Sequence, residues 1–367
     1  MITRPAVHPW AWWVWALGTA AAVSLTTNPL LLALTALAVT TVILLRRSDA
    51  PWARSVGAYF VLAGVIIGIR LFFQILLGAG TGTIVLFTLP EVQLPVWAAG
   101  IRLGGPVSAE ALSHAFNDAL RLGVMLLCLG AANALANPRQ ALRSVPAALY
   151  EVSVAVVIAL AVAPQLIEST QRVRRARQLR GGTATGWHAV RAVIIPVLAD
   201  AVDRSLMLAA GMEARGFGRT RDGRRPAPAV TALLIVSMLA ATVGTFGVIS
   251  ATSALPWAVP ALAGGLIGTV AGLRASGREL KVTRYRPQPW TGRDTGLALA
   301  GGVVLATALL ATSGVSPVTA TVWQPPADPL AWPSLHPLML VTLASVLAPL
   351  ALTRAPAAAP EPVVAAA

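Results

Sequence analysis

Two arginines that come directly before glycine are the clearest candidates for recognition chemistry in this sequence. Arg215 stands between Ala214 and Gly216, and the earlier Arg180 is followed by Gly181. A guanidinium is always charged, and its planar fork of donors suits the carboxylates, backbone carbonyls or helix C-termini of a partner. Glycine just past a helix end is also the usual C-terminal stop, and arginine there suits the helix dipole. The pattern is therefore typical of finished helix ends and compatible with arginines that a partner grips.

Asp200 and Asp203 lie one helical turn apart, like the acidic pairs of membrane prenyl or phosphatidyl transferases. Such enzymes need longer aspartate-rich motifs with more carboxylates, and here Arg204 adjoins the pair. The pattern favours a solvated helix face or an ion pair within the domain. An integral membrane lipid or prenyl transferase that uses these two carboxylates is the alternative function.

The sequence contains no pattern that indicates a metal site, a cofactor site or nucleotide chemistry. The four histidines are scattered without ligand spacing, and the single Cys128 lies in an apolar run. A P-loop needs Gly-Lys-Ser/Thr to hold phosphates, whereas the only lysine, Lys281, follows Leu280. We therefore expect no protein-bound metal, no cofactor and no ATP bound by this chain.

Charged residues also occur inside apolar runs, where a charge is costly and usually faces a partner or a polar cavity. Arg70 and Arg121 are two of them, and Asp118 precedes Arg121 by three positions, so that these two can pair on one helix face. Gln74 makes the Arg70 face more polar, and Glu110 is a further candidate. A structural ion pair and a contact with a partner subunit are both open interpretations of this group.

The elements that must position these residues are membrane helices. Of 367 residues, 56% are hydrophobic and only 11% are charged, with a mean hydropathy of +0.72, whereas a soluble domain has roughly 25% charged residues. Continuous apolar runs approach the ~20 residues that a helix needs to cross a bilayer, unlike the short alternating segments of a β-barrel. The composition predicts an all-α polytopic membrane protein.

The net charge of +14 is carried almost entirely by arginine. In a membrane protein this favours orientation by cytoplasmic loops over nucleic-acid binding.

The tryptophans between positions 10 and 15 favour a permanent first span over a cleaved signal peptide. The basic loops then place both termini in the cytoplasm, and the opposite loops contain only Arg102. We predict eight crossings, at 10–26, 30–45, 56–78, 112–134, 227–252, 256–273, 295–313 and 335–353.

One apolar run, 147–163, does not suit a crossing because arginines that favour the cytoplasm flank it on both sides. Pro146 and Pro164 bracket the run, and we expect proline to break the helix at both ends. We predict a helix that dips into or lies along the inner leaflet and continues into a cytoplasmic domain. The predicted division is N-terminal transmembrane helices 1–135, cytoplasmic domain 136–226, C-terminal transmembrane helices 227–353 and a disordered Pro/Ala-rich tail 354–367.

The cytoplasmic domain is predicted to contain two long amphipathic helices, each ending in Arg-Gly. In the second helix apolar residues recur every three or four positions, with the two aspartates and Arg204 mostly on the other face. The first helix repeats this plan, with Arg174, Arg175 and Arg177 away from its apolar side. The apolar face of the second helix consists of Leu198, Val202, Leu206, Ala209 and Met212, and that of the first of Leu166, Ile167, Thr170, Val173 and Ala176.

The segment 79–111 is interrupted by glycine and proline and is only partly apolar. Its composition predicts a re-entrant hairpin or a strand-like excursion. Such a segment either caps the assembly or touches a partner subunit.

Three stretches resemble the transmembrane T component of energy-coupling factor (ECF) transporters, a family that includes the cobalt-transport permeases. The first is TTNPLLLAL at Thr26–Leu34, and the second is NPRQALRSVPAALYEVSVAVVIALAVAPQLIESTQRVRRARQLRG at 137–181. The third is IIPVLADAVDRSLMLAAGMEARGFG at 194–218, in which MEARGFG is the most specific part. The resemblance covers most of residues 26–300 and is strongest between 133 and 219.

The resemblance implies a subunit of an importer in a prokaryotic plasma membrane. In this family the T component joins two cytoplasmic ABC-type ATPases, which bind the ATP, to a small membrane-embedded S component. The S component binds the substrate, a vitamin or a transition-metal ion, and the apolar faces of the coupling helices carry motion to it. We therefore expect no enzymatic activity in this chain. A self-sufficient secondary transporter is a third possibility.

The resemblance also assigns the two arginines. In the family each coupling helix ends in an Ala-Arg-Gly-like motif whose arginine docks in a groove on one ATPase. Arg215 belongs to the second motif, and Arg180 belongs to the first. Leu179 departs from the motif, where a small residue is usual, so Arg177 is an alternative for the first docking residue. We favour Arg180 because Gly181 follows it.

Overall fold

The computed structural model describes residues 7–47, 56–78, 82–93, 102–145, 149–181, 186–216, 228–250, 255–278, 288–313, 317–326 and 336–354. Within these ranges the chain forms twelve helices and one two-stranded antiparallel sheet. The helices are α1 (Pro9–Ser24), α2 (Pro29–Arg46), α3 (Val56–Leu77), α4 (Ala109–Leu135), α5 (Pro138–Arg143), α6 (Tyr150–Leu179), α7 (Gly186–Ala214), α8 (Pro228–Ser250), α9 (Leu255–Arg278), α10 (Gly292–Thr312), α11 (Pro317–Trp323) and α12 (Pro337–Leu352); the strands are β1 (Val85–Gln93) and β2 (Arg102–Ser108).

The chain divides into two compact units, Met1–Ala141 with Gln288–Ala367, and Leu142–Pro287. In the first unit α1, α2, α4, α10 and α12 pack around a shared apolar core. Its largest fully buried side chains are Trp15, Trp323, Leu32, Ile43 and Leu297.

Glycine allows α1 and α10 to approach closely. A Cβ added to Gly18 would lie 2.6 Å from the carbonyl oxygen of Gly301, and a Cβ added to Gly301 would lie 2.6 Å from Cα of Trp15. Small residues at helix interfaces are the usual way to obtain close packing in a bilayer, where the lipid removes the hydrophobic drive between helices. The two glycines therefore set the distance between these helices.

Asn28 joins the start of α2 to α11. Its Oδ1 accepts from the N–H groups of Leu30 and Leu31, and its Nδ2 donates to the carbonyl oxygen of Val322 at 2.8 Å. The side chain is fully buried, and a buried amide is stable only when its polar atoms are bonded in this way. The Asn-Pro segment at the start of α2 therefore has a structural role.

Asp294, in the first turn of α10, connects the start of that helix with the start of α1. Its Oδ1 accepts from the backbone N–H of His8 at 2.7 Å, while its Oδ2 accepts from the N–H and the hydroxyl of Thr291. The contact with His8 ties the start of α1 to the start of α10 across 286 positions of sequence.

The segment predicted as a re-entrant hairpin or a strand-like excursion forms the β1–β2 hairpin, in which Val85 pairs with Ser108 and Gln93 with Arg102. Residues 79–81 and 94–101 of this segment lie outside the described residues. Glu110, in the first turn of α4, is buried, and its Oε1 accepts from the backbone N–H groups of Thr83 and Ile84 and from the Thr83 hydroxyl. The strand-like prediction is confirmed in the described part.

The second unit contains α6–α9. A Cβ added to Gly244 would collide with the backbone of Leu262 on α9, and a Cβ added to Gly265 would collide with the backbone of Ala241 on α8. These glycines let α8 and α9 pack backbone against backbone, as small residues do between membrane helices.

Seven helices of the described residues are long and apolar enough to cross a membrane. The prediction of an all-α polytopic membrane protein is thus confirmed, with the β1–β2 hairpin as its small strand component. The predicted spans 10–26 and 335–353 correspond to α1 and α12, which have 16 residues each. The seven are Pro29–Arg46, Val56–Leu77, Ala109–Leu135, Val152–Leu179, Pro228–Gly247, Pro256–Gly277 and Gly292–Thr312.

The expectation that Pro164 breaks the helix is wrong, because α6 continues through it. A proline removes one hydrogen bond and crowds one carbonyl, and the helical turns on both sides maintain the helix. By length and composition Val152–Leu179 is itself able to cross a membrane. Its placement along the inner leaflet, like the division at 135, 226 and 353, stays a prediction, and Pro146 lies outside the described residues.

Candidate docking site on the α6–α7 hairpin

Helices α6 and α7 form an antiparallel hairpin. Ser169 donates from its hydroxyl to Oδ2 of Asp200 at 2.7 Å, and Arg177 donates from Nη1 to the carbonyl oxygen of Ala189 at 3.1 Å. As positions rise along α6, their partners fall along α7, so the two helices run in opposite directions. The two long helices that the sequence predicts in residues 136–226 are therefore present and packed on each other.

Each of the two helices ends as its Arg-Gly sequence predicts. Helix α6 ends at Leu179, and Gly181 follows with φ +68. Helix α7 ends at Ala214, and Gly216 follows with φ +75. This left-handed conformation is the one that glycine adopts at helix C-termini without a steric penalty. A Cβ added at either glycine would meet nothing within 4 Å, so both tips are open to their surroundings.

The side chains of Arg180 and Arg215 are exposed at these tips. In the part of the chain that the structure describes, the ion pairs involve Arg70, Arg121 and Arg204, so neither tip arginine is neutralised by a carboxylate. Leu179, beside Arg180, is 90% exposed. Each tip thus presents a guanidinium that is available to another molecule.

Arg177 has a different environment from Arg180. It is half-buried, and its guanidinium donates to the backbone of Ala189 on α7. The prediction that Arg177 points away from the packed side of the first helix is wrong. The reason is a contact between helices: the long side chain of Arg177 reaches across to α7. The periodicity of a single helix does not predict such a contact.

The two tips lie at opposite ends of the hairpin. The bond from Arg177 to Ala189 places the α6 tip beside the first turns of α7, and Arg215 comes directly after its last turn. Helix α7 has 29 residues, so at about 1.5 Å per residue its two ends are separated by about 42 Å along the helix.

Asp200 is held in a network inside the hairpin. Its Oδ1 pairs with Nε of Arg204 at 3.1 Å, its Oδ2 accepts from Ser169, and Arg204 also donates to Gln165 on α6. The hydroxyl of Ser169, followed by the guanidinium of Arg204, holds the pKa of Asp200 below its usual value. Asp203, in contrast, is exposed. The expectation of an ion pair within the domain is confirmed for Asp200.

The predicted apolar face of α7 lies on the side opposite to α6. Asp200 and Arg204 contact α6, and at about 100° per residue Leu198 and Val202 project roughly in the opposite direction. The exposed fractions are 60% for Leu198, 49% for Val202 and 63% for Leu206. Ala209 is also exposed and Met212 half-exposed. This side of α7 is a mainly apolar surface.

Ser169 is a site residue that the sequence analysis did not identify. It is 3% exposed and is the α6 donor to Asp200. No sequence signal distinguishes it, since a serine in a polar stretch of helix is ordinarily solvated. Of the apolar residues predicted for the α6 face, Leu166, Thr170 and Val173 are half-buried, whereas Ile167 and Ala176 are exposed.

The charged residues within α3 and α4 form a three-member cluster. Asp118 pairs with Arg121 at 3.2 Å on α4, as its spacing predicts, and with Arg70 of α3 at 3.7 Å. Gln74 is half-exposed one turn further along α3. Glu110 belongs to the β-hairpin contacts and not to this cluster. Among the described residues no group of three His, Cys, Asp or Glu is placed to hold a metal ion.

Fold and composition together define a class: a polytopic α-helical membrane protein with a packed helical hairpin that ends in two exposed arginines. The chain belongs to the cobalt transport protein family CbiQ, whose model matches residues 7–226, more than half of the chain. The family is one of transport permeases, and it includes the ECF T components that the sequence resembles. Its members usually work in transporter complexes within a membrane. No curated protein sequence matches the chain.

Proposed function

We propose that the chain is the transmembrane scaffold and coupling subunit of an ECF-type ABC importer. Two ATPases bind at the hairpin tips, Arg180 with Gly181 at one end and Ala214-Arg215-Gly216 at the other. The ATPases bind and hydrolyse ATP, while this chain has no catalytic residue and no cofactor. It lies in a prokaryotic plasma membrane with both termini in the cytoplasm, and residues 136–226 serve as its cytoplasmic coupling domain.

The observation that carries the proposal is the pair of exposed arginines at opposite ends of one hairpin. A separation of about 42 Å exceeds the ~30 Å diameter of a small domain. Two tips at that distance suit two separate partner subunits, one at each end. The open space around Gly181 and Gly216 supports entry of each tip into a groove.

The environment of Arg177 supports Arg180 as the first docking residue. The guanidinium of Arg177 is bonded inside the hairpin, so docking through Arg177 requires that this bond be broken. Arg180 is exposed and keeps its donors for a partner. The Arg-Gly tip at Arg180 then matches the tip at Arg215.

The apolar side of α7 is the proposed coupling face for the substrate-binding S component. Leu198, Val202 and Leu206 are exposed there, on the side that α6 does not cover. When ATP binding draws the two ATPases together, the tips move with them, and this face transmits the motion by sliding or tilting. The cargo, a vitamin or a transition-metal ion such as cobalt or nickel, is selected by the S component.

The network around Asp200 argues against a transferase that uses Asp200 and Asp203. Both oxygens of Asp200 are engaged, one by Ser169 and one by Arg204. A carboxylate neutralised in this way is poorly suited to hold a metal-bound diphosphate. The coupling role is therefore preferred.

The test is co-purification of the ATPases with the double variant Arg180→Glu/Arg215→Glu, in the complete co-expressed complex. Reversal of both charges places carboxylates where guanidinium groups dock, so the ATPases are expected to be lost while the membrane subunits stay together. A secondary transporter instead predicts that uptake continues without ATPases. Retention of both ATPases by the double variant would contradict the proposal.

The matched control is Arg174→Glu/Arg175→Glu, which makes the same charge change on exposed positions in the body of α6. It is expected to retain both ATPases. An equal loss in the control would mean that overall positive charge, and not the two tips, holds the ATPases.

A further inference from the structure

The cluster in α3 and α4 carries one positive charge more than it can neutralise. Arg70 and Arg121 both pair with the single carboxylate of Asp118, so two guanidinium groups share one negative charge. The distance from Arg70 to Asp118, 3.7 Å, is the longer of the two, and the side chain of Arg70 is 54% exposed. Arg70 therefore has donors that remain free to bind a second anion on the outer side of the helix pair.

The buried carboxylates in the described part of the first unit have different partners. Glu110 accepts from Thr83 and Ile84, and Asp294 accepts from His8 and Thr291. Neither is within ion-pair distance of Arg70 or Arg121. The surplus charge is therefore not balanced by a described carboxylate of this unit.

The surroundings of Arg70 have the composition of an interface. Ile69 is 52% exposed and Phe73 50% exposed on the adjoining side of α3, and the exposed Leu62 lies two turns nearer the start of this helix. An arginine bordered by large apolar and aromatic side chains is typical of the residues that dominate binding between proteins. We call Leu62, Ile69, Arg70 and Phe73, with Asp118 and Arg121 behind them, the α3 surface.

The depth of the cluster limits which anion can reach it. Arg70 lies seven residues before the end of α3 at Leu77, and Asp118 lies nine residues after the start of α4 at Ala109. At about 1.5 Å per residue these positions are about 10 and 14 Å from the helix ends beside the β-hairpin. A hydrocarbon core of about 30 Å places them well inside the membrane. Lipid phosphates lie at the surface, whereas a side chain on another helix can be at any depth.

We propose that the α3 surface docks a transmembrane helix of a partner protein that carries an aspartate or a glutamate near mid-membrane depth. The partner carboxylate binds Arg70, completes a cluster of two arginines and two acids, and brings its net charge to zero. The apolar residues around Arg70 pack against the partner helix and exclude lipid and water from the ion pair. The proposal rests on the chain working in a membrane complex and does not depend on ATPase docking at Arg180 or Arg215.

The test uses the full chain in nanodiscs of neutral phosphatidylcholine at pH 7.5. The probes are synthetic leucine/alanine single-span peptides with one glutamate, glutamine or lysine at the central position, and affinity is measured by energy transfer between labels. The glutamate peptide is expected to bind at least about tenfold more tightly than the glutamine peptide. Arg70→Gln is expected to remove that preference, and Arg70→Glu to transfer it to the lysine peptide.

Two controls make the result specific. Gln74→Leu, which changes a half-exposed polar residue one turn away, is expected to keep the glutamate preference. Arg70→Gln is expected to leave the thermal midpoint of the isolated chain unchanged, because Asp118 keeps Arg121.

Three outcomes would overturn the proposal. Equal binding of the glutamate and glutamine peptides to wild type would mean that the surplus charge recruits no acidic helix. A fall of several degrees in the midpoint with Arg70→Gln, without a change in peptide binding, would assign Arg70 an internal structural role. Loss of the glutamate preference when phosphatidylglycerol replaces part of the neutral lipid would identify a lipid phosphate as the occupant. Arg180→Glu/Arg215→Glu leaves all these readouts unchanged, so the failure of either proposal is recognisable by itself.

Discussion

Arg177 and Ala189 are joined across the α6–α7 hairpin, where the guanidinium of Arg177 donates to the Ala189 carbonyl oxygen at 3.1 Å. Because of this bond, Arg177 and Arg180 have different environments although they are only three positions apart in sequence. Arg177 holds the hairpin together, and Arg180 projects from its tip.

We predict that Arg180→Ala weakens binding of the ATPase pair by about a hundredfold, because a docked guanidinium contributes roughly 2–4 kcal/mol. Arg177→Ala, the matched change inside the hairpin, is expected to weaken binding less than about fivefold. Titration of the ATPases onto the immobilised membrane subunits measures both. The opposite ranking would identify Arg177 as the docking residue.

The lowered pKa of Asp200 predicts a pH-dependent contribution to hairpin stability. Because the folded pKa lies below the unfolded value of about 3.9, the contribution is fully present above the unfolded pKa and is lost as the pH falls through the folded pKa. Wild type is therefore expected to melt at a higher temperature than Asp200→Asn at pH 6, and the difference is expected to shrink once the pH falls below the unfolded pKa and to disappear below the folded pKa.

The control for this prediction is Asp203→Asn, one turn away on an exposed position. Thermal unfolding in detergent between pH 3 and pH 7 is expected to show no comparable difference from wild type. A difference at Asp203 as large as that at Asp200 would mean that general charge, and not the Ser169–Arg204 network, produces the effect.

Gly301→Ala is predicted to destabilise the first unit by about 1–3 kcal/mol, since the new methyl group collides with the backbone of α1 near Trp15. Gly302→Ala is the matched control, because a Cβ added there meets nothing within 4 Å. It is expected to keep or slightly raise stability through its better helix propensity. Thermal midpoints of the two purified variants are the measurement, and equal midpoints would argue against a tight α1–α10 contact.

Asn28→Asp separates the two roles of Asn28. The aspartate keeps an oxygen that caps α2 but loses the donor to the Val322 carbonyl and adds a buried negative charge. We predict a loss of about 2–4 kcal/mol, with faster proteolysis at α11. Thr41→Ala, on an exposed side of α2, is the control and is expected to change little. A neutral effect of Asn28→Asp would show that α11 is held mainly by other contacts.

Local chemistry predicted the features that depend on neighbouring residues. The Arg-Gly ends of α6 and α7, the long apolar helices and the pair of Asp118 with Arg121 follow from composition, helix capping and the i,i+3 spacing. Each of these depends on at most a few turns of one helix.

Contacts between distant parts of the chain were not predicted. The bond of Asp294 to His8, the bond of Asn28 to Val322 and the burial of Ser169 against Asp200 depend on which helices pack together. A single sequence does not specify such packing. Pro164 was misjudged for a related reason, since the cost of one missing hydrogen bond depends on how well the rest of α6 is held.

Pro164 also lies at a chemical boundary within α6. Before it, α6 carries a charge only at Glu151 in its first turn, and the residues after it include five arginines between 172 and 180. Its missing N–H leaves the carbonyl of Leu160 without its usual helical donor, so a bend of α6 would break fewer hydrogen bonds here than elsewhere in the helix. Bending stiffness and polarity therefore change at the same residue. A hinge at Pro164 would let the arginine-bearing half of α6 tilt while the apolar half keeps its position.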